Sequence, residues 1–410
     1  MKKASVTTLL LCMFLCVTAF AQTENDFQVA LTADYSGAVI TKYTGQGISA
    51  LRIPETIQSF PVKEIGNRVF YENSTITSVT FPSTIEKIGD EAFFNCRNLQ
   101  VVTIPANVAK IEFVKTEKGR YDSAYKSYDP VTNKYYTDNF FNCGKLLFSS
   151  LSALKQRGYI FANDSKKVGN YTFKLTNDGK GLILLKAEFN VVYALTDQRQ
   201  HFYEMATVPD VVIPTSIEGM VVKEIGSSSF EYSRYFNSEG HVRTTSSDRT
   251  TVPYITNSIT IPEEVVYIGE KAFSSNSLRS VVLSPNSKLG RIDTSAFSYC
   301  KQLGSITLPS NLRIIGNRAF YYCEKLSSVI IPEGVTEIGS EAFSGCESLT
   351  SIVLPNSIKI IGDEAFYRTG LTTITIPDTV EKIGKSAFKY TKFTLPIQAE
   401  LRRRGYTGDF

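Results

Sequence analysis

The feature that most constrains this chain is a period of 23 residues. Pro309, Pro332 and Pro355 keep that spacing, and so do Cys300, Cys323 and Cys346. The same stretch recurs with small changes: LGSITLPSNLRIIGNRAFYYC from Leu303 to Cys323, LSSVIIPEGVTEIGSEAFSGC from Leu326 to Cys346, and LTSIVLPNSIKIIGDEAFYRT from Leu349 to Thr369. A unit this short cannot bury its own apolar face, so successive copies must stack and share one core. The expected fold is a mostly β, right-handed solenoid with short helical turns.

Each position of the repeat has a physical reason. Leu326, Val329 and Ile331 are spaced like the inward residues of a short parallel strand, with adjacent coils about 4.8 Å apart. Pro332 ends the strand, having no N–H to give to a ladder. Val335 and Ile338 turn inward again. Gly339 is expected to take a backbone conformation that a Cβ would hinder. Asp293 holds that place in RIDTSAF, which predicts a left-handed residue. Glu112 holds it in KIE, where the chain is expected to leave the array. Ala342-Phe343 sets a small residue beside a large one, with Phe343 stacking on Phe320 and Phe366.

In chain order, Lys2-Lys3, an apolar run from Leu9 to Val17 and Ala19-Phe20-Ala21 read as a secretory signal peptide over residues 1–21. Residues 22–162 form a first array. It opens with a hairpin at Phe27–Lys42 around Asp-Tyr-Ser-Gly, is interrupted at 113–138, and closes with a helix over Leu147–Tyr159 that stops at Gly158. The polar segment 163–170 (NDSKKVGN) reads as a linker between two capped arrays, the alternative being one continuous solenoid with an internal irregularity. Residues 171–410 repeat the order, with a hairpin around Asn177-Asp178-Gly179, an interruption at 231–257 and a C-terminal helix starting near Pro396 and ending at Gly405. Arg404-Gly405-Tyr406 matches Arg157-Gly158-Tyr159, so both arrays are expected to end in the same cap.

Function classes are narrowed by what remains. Without Lys2 and Lys3 the balance is 42 basic to 40 acidic residues, which points to no nucleic-acid partner. No later apolar run is long enough to span a membrane as a helix. Cys96, Cys143, Cys300, Cys323 and Cys346 are odd in number and repeat-equivalent, so they read as a buried thiol ladder and not as disulfides or a zinc site. His201 and His241 accompany no nucleophile motif, and there is no P-loop or calcium-loop pattern. The expectation is a non-catalytic chain with no metal and no cofactor.

The repeat IPxxVxxIGxxAFxxCxxLxxI, recurring about ten times, closely resembles the BspA-like leucine-rich repeat family of secreted and surface proteins of host-associated bacteria. The hairpin-to-IP openings at Phe27–Gly66 and Tyr171–Gly226 are also typical of it. The resemblance implies a leucine-rich solenoid, with adhesion to proteins or to other bacteria in some members, and no shared catalytic residues.

Two surfaces qualify as binding sites for a protein or glycan ligand. The first is the pair of interruptions, with Tyr121, Tyr125, Tyr128, Tyr135 and Tyr136 in one and Tyr232, Arg234, Tyr235 and Tyr254 in the other. Tyrosine combines large contact area with a polar handle at modest entropy cost, although the same rings could simply fold an insertion back onto the coils. YKSYDPVTNKYY predicts a hairpin around Asp129-Pro130. The second is the outward column of the strands: Arg52, Thr80, Thr103, Val212, Thr260, Val282, Thr307, Ile330, Val353 and Thr375, a β-branched set that could equally reflect strand propensity alone. The reading from sequence is an exported, adhesin-like binder at the cell surface or secreted. The alternative is a structural scaffold of the periplasm or envelope, with an enzyme third.

Overall fold

The computed structural model describes residues 23–118, 127–129, 134–136, 139–140, 143–159, 165–187, 193–197, 202–205, 210–230, 257–276 and 278–410. The chain divides into two compact units, Met1–Ala162 and Asn163–Phe410.

In the first unit the hairpin Phe27–Leu31/Ala38–Tyr43 pairs in parallel with Phe60–Ile65, which continues through Lys87–Ile88 to Glu112–Phe113. A second sheet stacks Ala50–Arg52, Ser78–Thr80 and Val101–Thr103 in register. The second unit repeats the plan. The hairpin Tyr171–Leu175/Leu182–Ala187 leads one sheet as far as Lys382–Ile383, and Val211–Val212 starts the other, which runs to Ser328–Ile330. Lys166–Val168, inside the segment read as a linker, adds a strand to that hairpin. A further hairpin, Tyr193–Asp197 with Phe202–Met205, is written in the alternation of YALTDQRQHFYEM and escapes a reading tuned to the repeat.

The core is one ladder per unit. Phe297, Phe320, Phe343, Phe366 and Phe388 are all buried. Their rings stack at 5.3–5.7 Å with interplanar angles of 2–7°. Beside this ladder, and beside Phe70, Phe93 and Phe140 in the first unit, the five thiols are buried and unbridged. Each Sγ donates to the carbonyl of the Phe one coil earlier, at 3.0–3.2 Å. Burial pushes the Cys300 thiol up to about 12 and raises Cys323 and Cys346 as well. Because only the thiolate attacks disulfide reagents, the native mature chain should show no fast-reacting thiol at pH 8, and five after denaturation. A thiol titrating rapidly in the native state would contradict this ladder.

Both arrays end in the same cap. The helices Phe148–Gln156 and Leu395–Arg403 each lead through a left-handed glycine, Gly158 (φ 99) and Gly405 (φ 87), to a buried tyrosine. The Tyr159 hydroxyl accepts the N–H of Phe140, and that of Tyr406 accepts the N–H of Phe388. Each ring meets the edge of the last Phe, at 5.3 and 5.4 Å. In the first unit Ser150 Oγ also accepts the N–H of Val102, so the helix covers a strand edge that would otherwise offer itself for pairing.

Three local expectations are corrected. Gly339 does not have positive φ. It is glycine because a Cβ there would lie 2.6 Å from the backbone of Gly316 and Asn317 in the preceding coil. Asp293 is likewise not left-handed. Its carboxylate accepts from the Tyr267 hydroxyl, Arg291 and the N–H of Thr294. In a neighbouring coil Asn317 serves that last N–H from one coil back, reaching Ser340; here the corresponding residue is Glu270. Third, the chain does not leave the array at Glu112. Glu112 pairs with Lys87 and Phe113 with Ile88, and Val114 N–H reaches the Ile88 carbonyl where Gly89 reaches Ile65. The slip of two residues buries Ile111 and gives its N–H to the Arg157 carbonyl at the helix end.

The left-handed residues sit elsewhere. Arg68, Glu91, Lys271, Ser295, Arg318, Glu341, Glu364 and Ser386, each immediately before the Ala or Val of the Phe pair, have φ of 53–57. Left-handed backbone costs a non-glycine residue roughly 1–2 kcal/mol. Ser386→Gly should therefore stabilise the second unit by about 0.5–1 kcal/mol, less the freedom glycine adds to the unfolded chain. Thermal melts check it, and a lower melting temperature would show that the serine side chain matters there.

Candidate functional site: the outward strand face

Parallel strands of neighbouring coils place equivalent residues in straight rows, so one exposed side chain per coil becomes a surface. Pairings Val212↔Thr260↔Val282 and Thr307↔Ile330 lie within the sheet, and isolated bridges extend the row through Val353 to Thr375. Arg52↔Thr80↔Thr103 forms the short counterpart in the first unit. The alternate positions, Val329 and Ile331 among them, are buried, as the two-residue period of a strand requires.

What distinguishes the second unit's row is apolar exposure. Ile330 is 70%, Val353 69% and Val212 66% exposed, and Val282 is exposed too. Beside this row runs a second one of serines, Ser258↔Ser280↔Ser305↔Ser328, with Ser351 at the same place in the next coil. From Ser258 onward the two rows carry no charge; in the first coil Asp210 takes the serine's place and accepts from Ser258. A methyl row next to a hydroxyl row can bury apolar surface and take hydrogen bonds from a polymer crossing the strands, and it loses little entropy on binding because β-branched side chains are already fixed at χ1. The serine row was readable, two residues before Thr260, Val282, Thr307, Ile330 and Val353, but a serine per coil looks like a turn signal until the register is known.

The tyrosine candidates are placed unevenly. Tyr128, Tyr135 and Tyr136 lie on the antiparallel strands Ser127–Asp129 and Lys134–Tyr136, with Tyr128 opposite Tyr135 and Tyr136 opposite Ser127, so the hairpin expected around Asp129-Pro130 is present. Glu117–Lys118 pairs on the other side of Lys134–Tyr136. Tyr121, Tyr125, Tyr232, Arg234, Tyr235 and Tyr254 lie outside the described residues. Among the described residues no three His, Cys, Asp or Glu side chains come together as a metal site, and no helix is long and apolar enough to cross a membrane.

A family model described as a BspA type leucine rich repeat region matches residues 43–178, 196–288 and 268–394, in six copies. Among solved structures, a leucine rich cell surface protein from Faecalibacterium prausnitzii is 23% identical, over 91% of this chain and 94% of that one, with a TM-score of 0.28. A leucine-rich repeat protein from Eubacterium ventriosum is 18% identical over 90% and 94%, with a TM-score of 0.36. The T. pallidum leucine rich repeat protein is 17% identical over 95% and 98%, with a TM-score of 0.22. Likeness at this level carries no functional inference. No curated protein matches the chain.

Proposed function

The chain belongs to the BspA-type leucine-rich repeat family, and on that premise we propose that it is an exported, non-catalytic protein that binds a macromolecular ligand at or outside the cell surface. The observation that carries this reading is the uncharged row Val212–Thr375, with Ile330 and Val353 largely exposed on the parallel stack. Large apolar side chains are seldom left in an ordered, contiguous row on a surface that touches nothing. The tyrosines of the two interruptions, Tyr121, Tyr125, Tyr128, Tyr135, Tyr136, Tyr232, Tyr235 and Tyr254, together with Arg234, supply a second contact on the same reading. The leader at residues 1–21 accounts for export.

The test is to coat plates with extracellular-matrix proteins and with purified bacterial cell-wall glycan and measure binding of the mature chain. Ile330→Lys with Val353→Lys should weaken binding about tenfold or more, in line with loss of central contacts, while the melting temperature stays within the small range of surface changes. If this double variant binds like the parent and joint deletion of residues 113–138 and 231–257 abolishes binding, the interruptions are the site and the strand face is not.

A further inference from the structure

Away from the strand rows, at the turn that follows each buried Phe, the second unit carries tyrosines the core does not use. Tyr299 is 44% exposed. Its ring stacks on Tyr322 at 5.6 Å, and Tyr321 meets both edge-on, at 5.4 and 4.6 Å. Tyr322 also roofs the next coil. A Cβ added at Gly345 would come within 2.9 Å of its ring, so the ring can lie flat only because that coil has glycine. Further along, Tyr367 and Tyr390 pair edge-on at 5.2 Å, with Tyr390 57% exposed. Of the five successive coils from Tyr299 to Tyr390, four present tyrosine and the fifth lies under one.

The charges bordering this row are already neutralised in pairs: Lys301 with Glu324 at 2.8 Å, Arg318 with Glu341 at 2.6 Å, and Arg368 with Glu347 at 3.0 Å. What is left for a ligand is a ridge of phenol hydroxyls, ring edges and the ring faces that no neighbour covers, repeating along the stack at about 4.8 Å per coil. A stable protein partner needs about 800 Å² on each side with an apolar centre, and a ridge one or two rings wide between charged pairs does not supply it. A linear sugar polymer does fit. Pyranose rings offer flat C–H faces to aromatic faces and hydroxyls to tyrosine's polar end. An ionic polymer would have to compete with these ion pairs for the bordering charges.

We propose that the ridge Tyr299–Tyr321–Tyr322–Tyr367–Tyr390 binds a neutral polysaccharide lying along the stacking direction. It does not depend on the strand face binding anything. Tyr299 and Tyr390 stand in left-handed backbone, φ 60 and 62, where Gly345 has φ 76. Glycine therefore suits the backbone at both positions, and Tyr299→Gly and Tyr390→Gly should melt at or above the parent's temperature.

The experiment is affinity electrophoresis of the mature chain in native gels containing mannan, laminarin, hydroxyethylcellulose or a neutral galactan, with heparin and alginate as charged comparisons. At least one neutral polymer should retard the protein, with Tyr299→Gly and Tyr390→Gly each weakening the apparent affinity about tenfold and Tyr299→Phe largely retaining it. Retardation by none of the neutral polymers, equal retardation of parent and glycine variants, or retardation by charged polymers alone that salt abolishes, would each overturn the proposal.

Discussion

Phe343→Ala should destabilise the second unit by about 3–5 kcal/mol, the range for emptying a buried aromatic site. The ring is fully buried between Phe320 at 5.3 Å and Phe366 at 5.6 Å, nearly parallel to both. Its neighbours cannot collapse into the gap, because each is held by its own coil in a ladder of fixed spacing. Stability in a stacked array is close to a sum of units and nearest-neighbour interfaces, and this change weakens two interfaces at once. Chemical denaturation checks it. A loss below about 1 kcal/mol would mean that the ladder closes up and that the stacked rings are not the source of the unit's stability.

Gly339→Ala should cost about 3 kcal/mol or more, at or beyond the upper end for overpacked sites, although alanine is the smallest possible addition. The new methyl would lie 2.6 Å from Asn317 N and from Gly316 C, and 2.8 Å from Asn317 Oδ1. Backbone of the preceding coil cannot step aside as a flexible side chain would without breaking the Gly339 N–H bond to Ile315. Gly362 and Gly384 face the same contact, so the column spaces the coils. By contrast Ile330→Lys, on the outward row, should change stability by no more than about 0.5 kcal/mol. A melting series of the three variants separates these effects, and equal melting temperatures for Gly339→Ala and Ile330→Lys would refute the close-approach explanation.

The repeat made the general fold legible. Pro332, the inward triplet Leu326/Val329/Ile331 and the Ala-Phe pair each recur, and each has one conformational use. The twin caps were legible because RGY occurs twice, and the Cys position because only a small, buriable residue fits it. The finer features depend on what the adjacent coil does, which no local window contains. The left-handed Arg318 is one case. Its N–H bonds the Ser340 carbonyl at 2.8 Å, as Phe320 bonds Ala342 and Tyr322 bonds Ser344, so the strained turn is held by rungs to the following coil. Glu112 is another. KIE matches the repeat in all but its last letter, yet burial of Ile111 against the first unit's helix end moves the register by two.

The candidate surfaces were legible to different degrees. The strand column could be aligned from sequence, but its exposure could be known only once Ile330 and Val353 were seen projecting from the sheet. The Tyr299–Tyr322 ridge was hidden for a different reason. SYC and YYC look like ordinary fillers of the repeat, and only the stacking of successive turns brings Tyr299, Tyr321 and Tyr322 into contact.

The most direct test of an exported binder acting outside the cell is protease accessibility on intact cells that produce the native protein, with a known periplasmic protein as the internal control. Cleavage of this chain while the control stays protected, or recovery of the mature chain from the medium, is the expected result. Protection equal to that of the periplasmic control, with none in the medium, would contradict it and leave the envelope scaffold as the better reading.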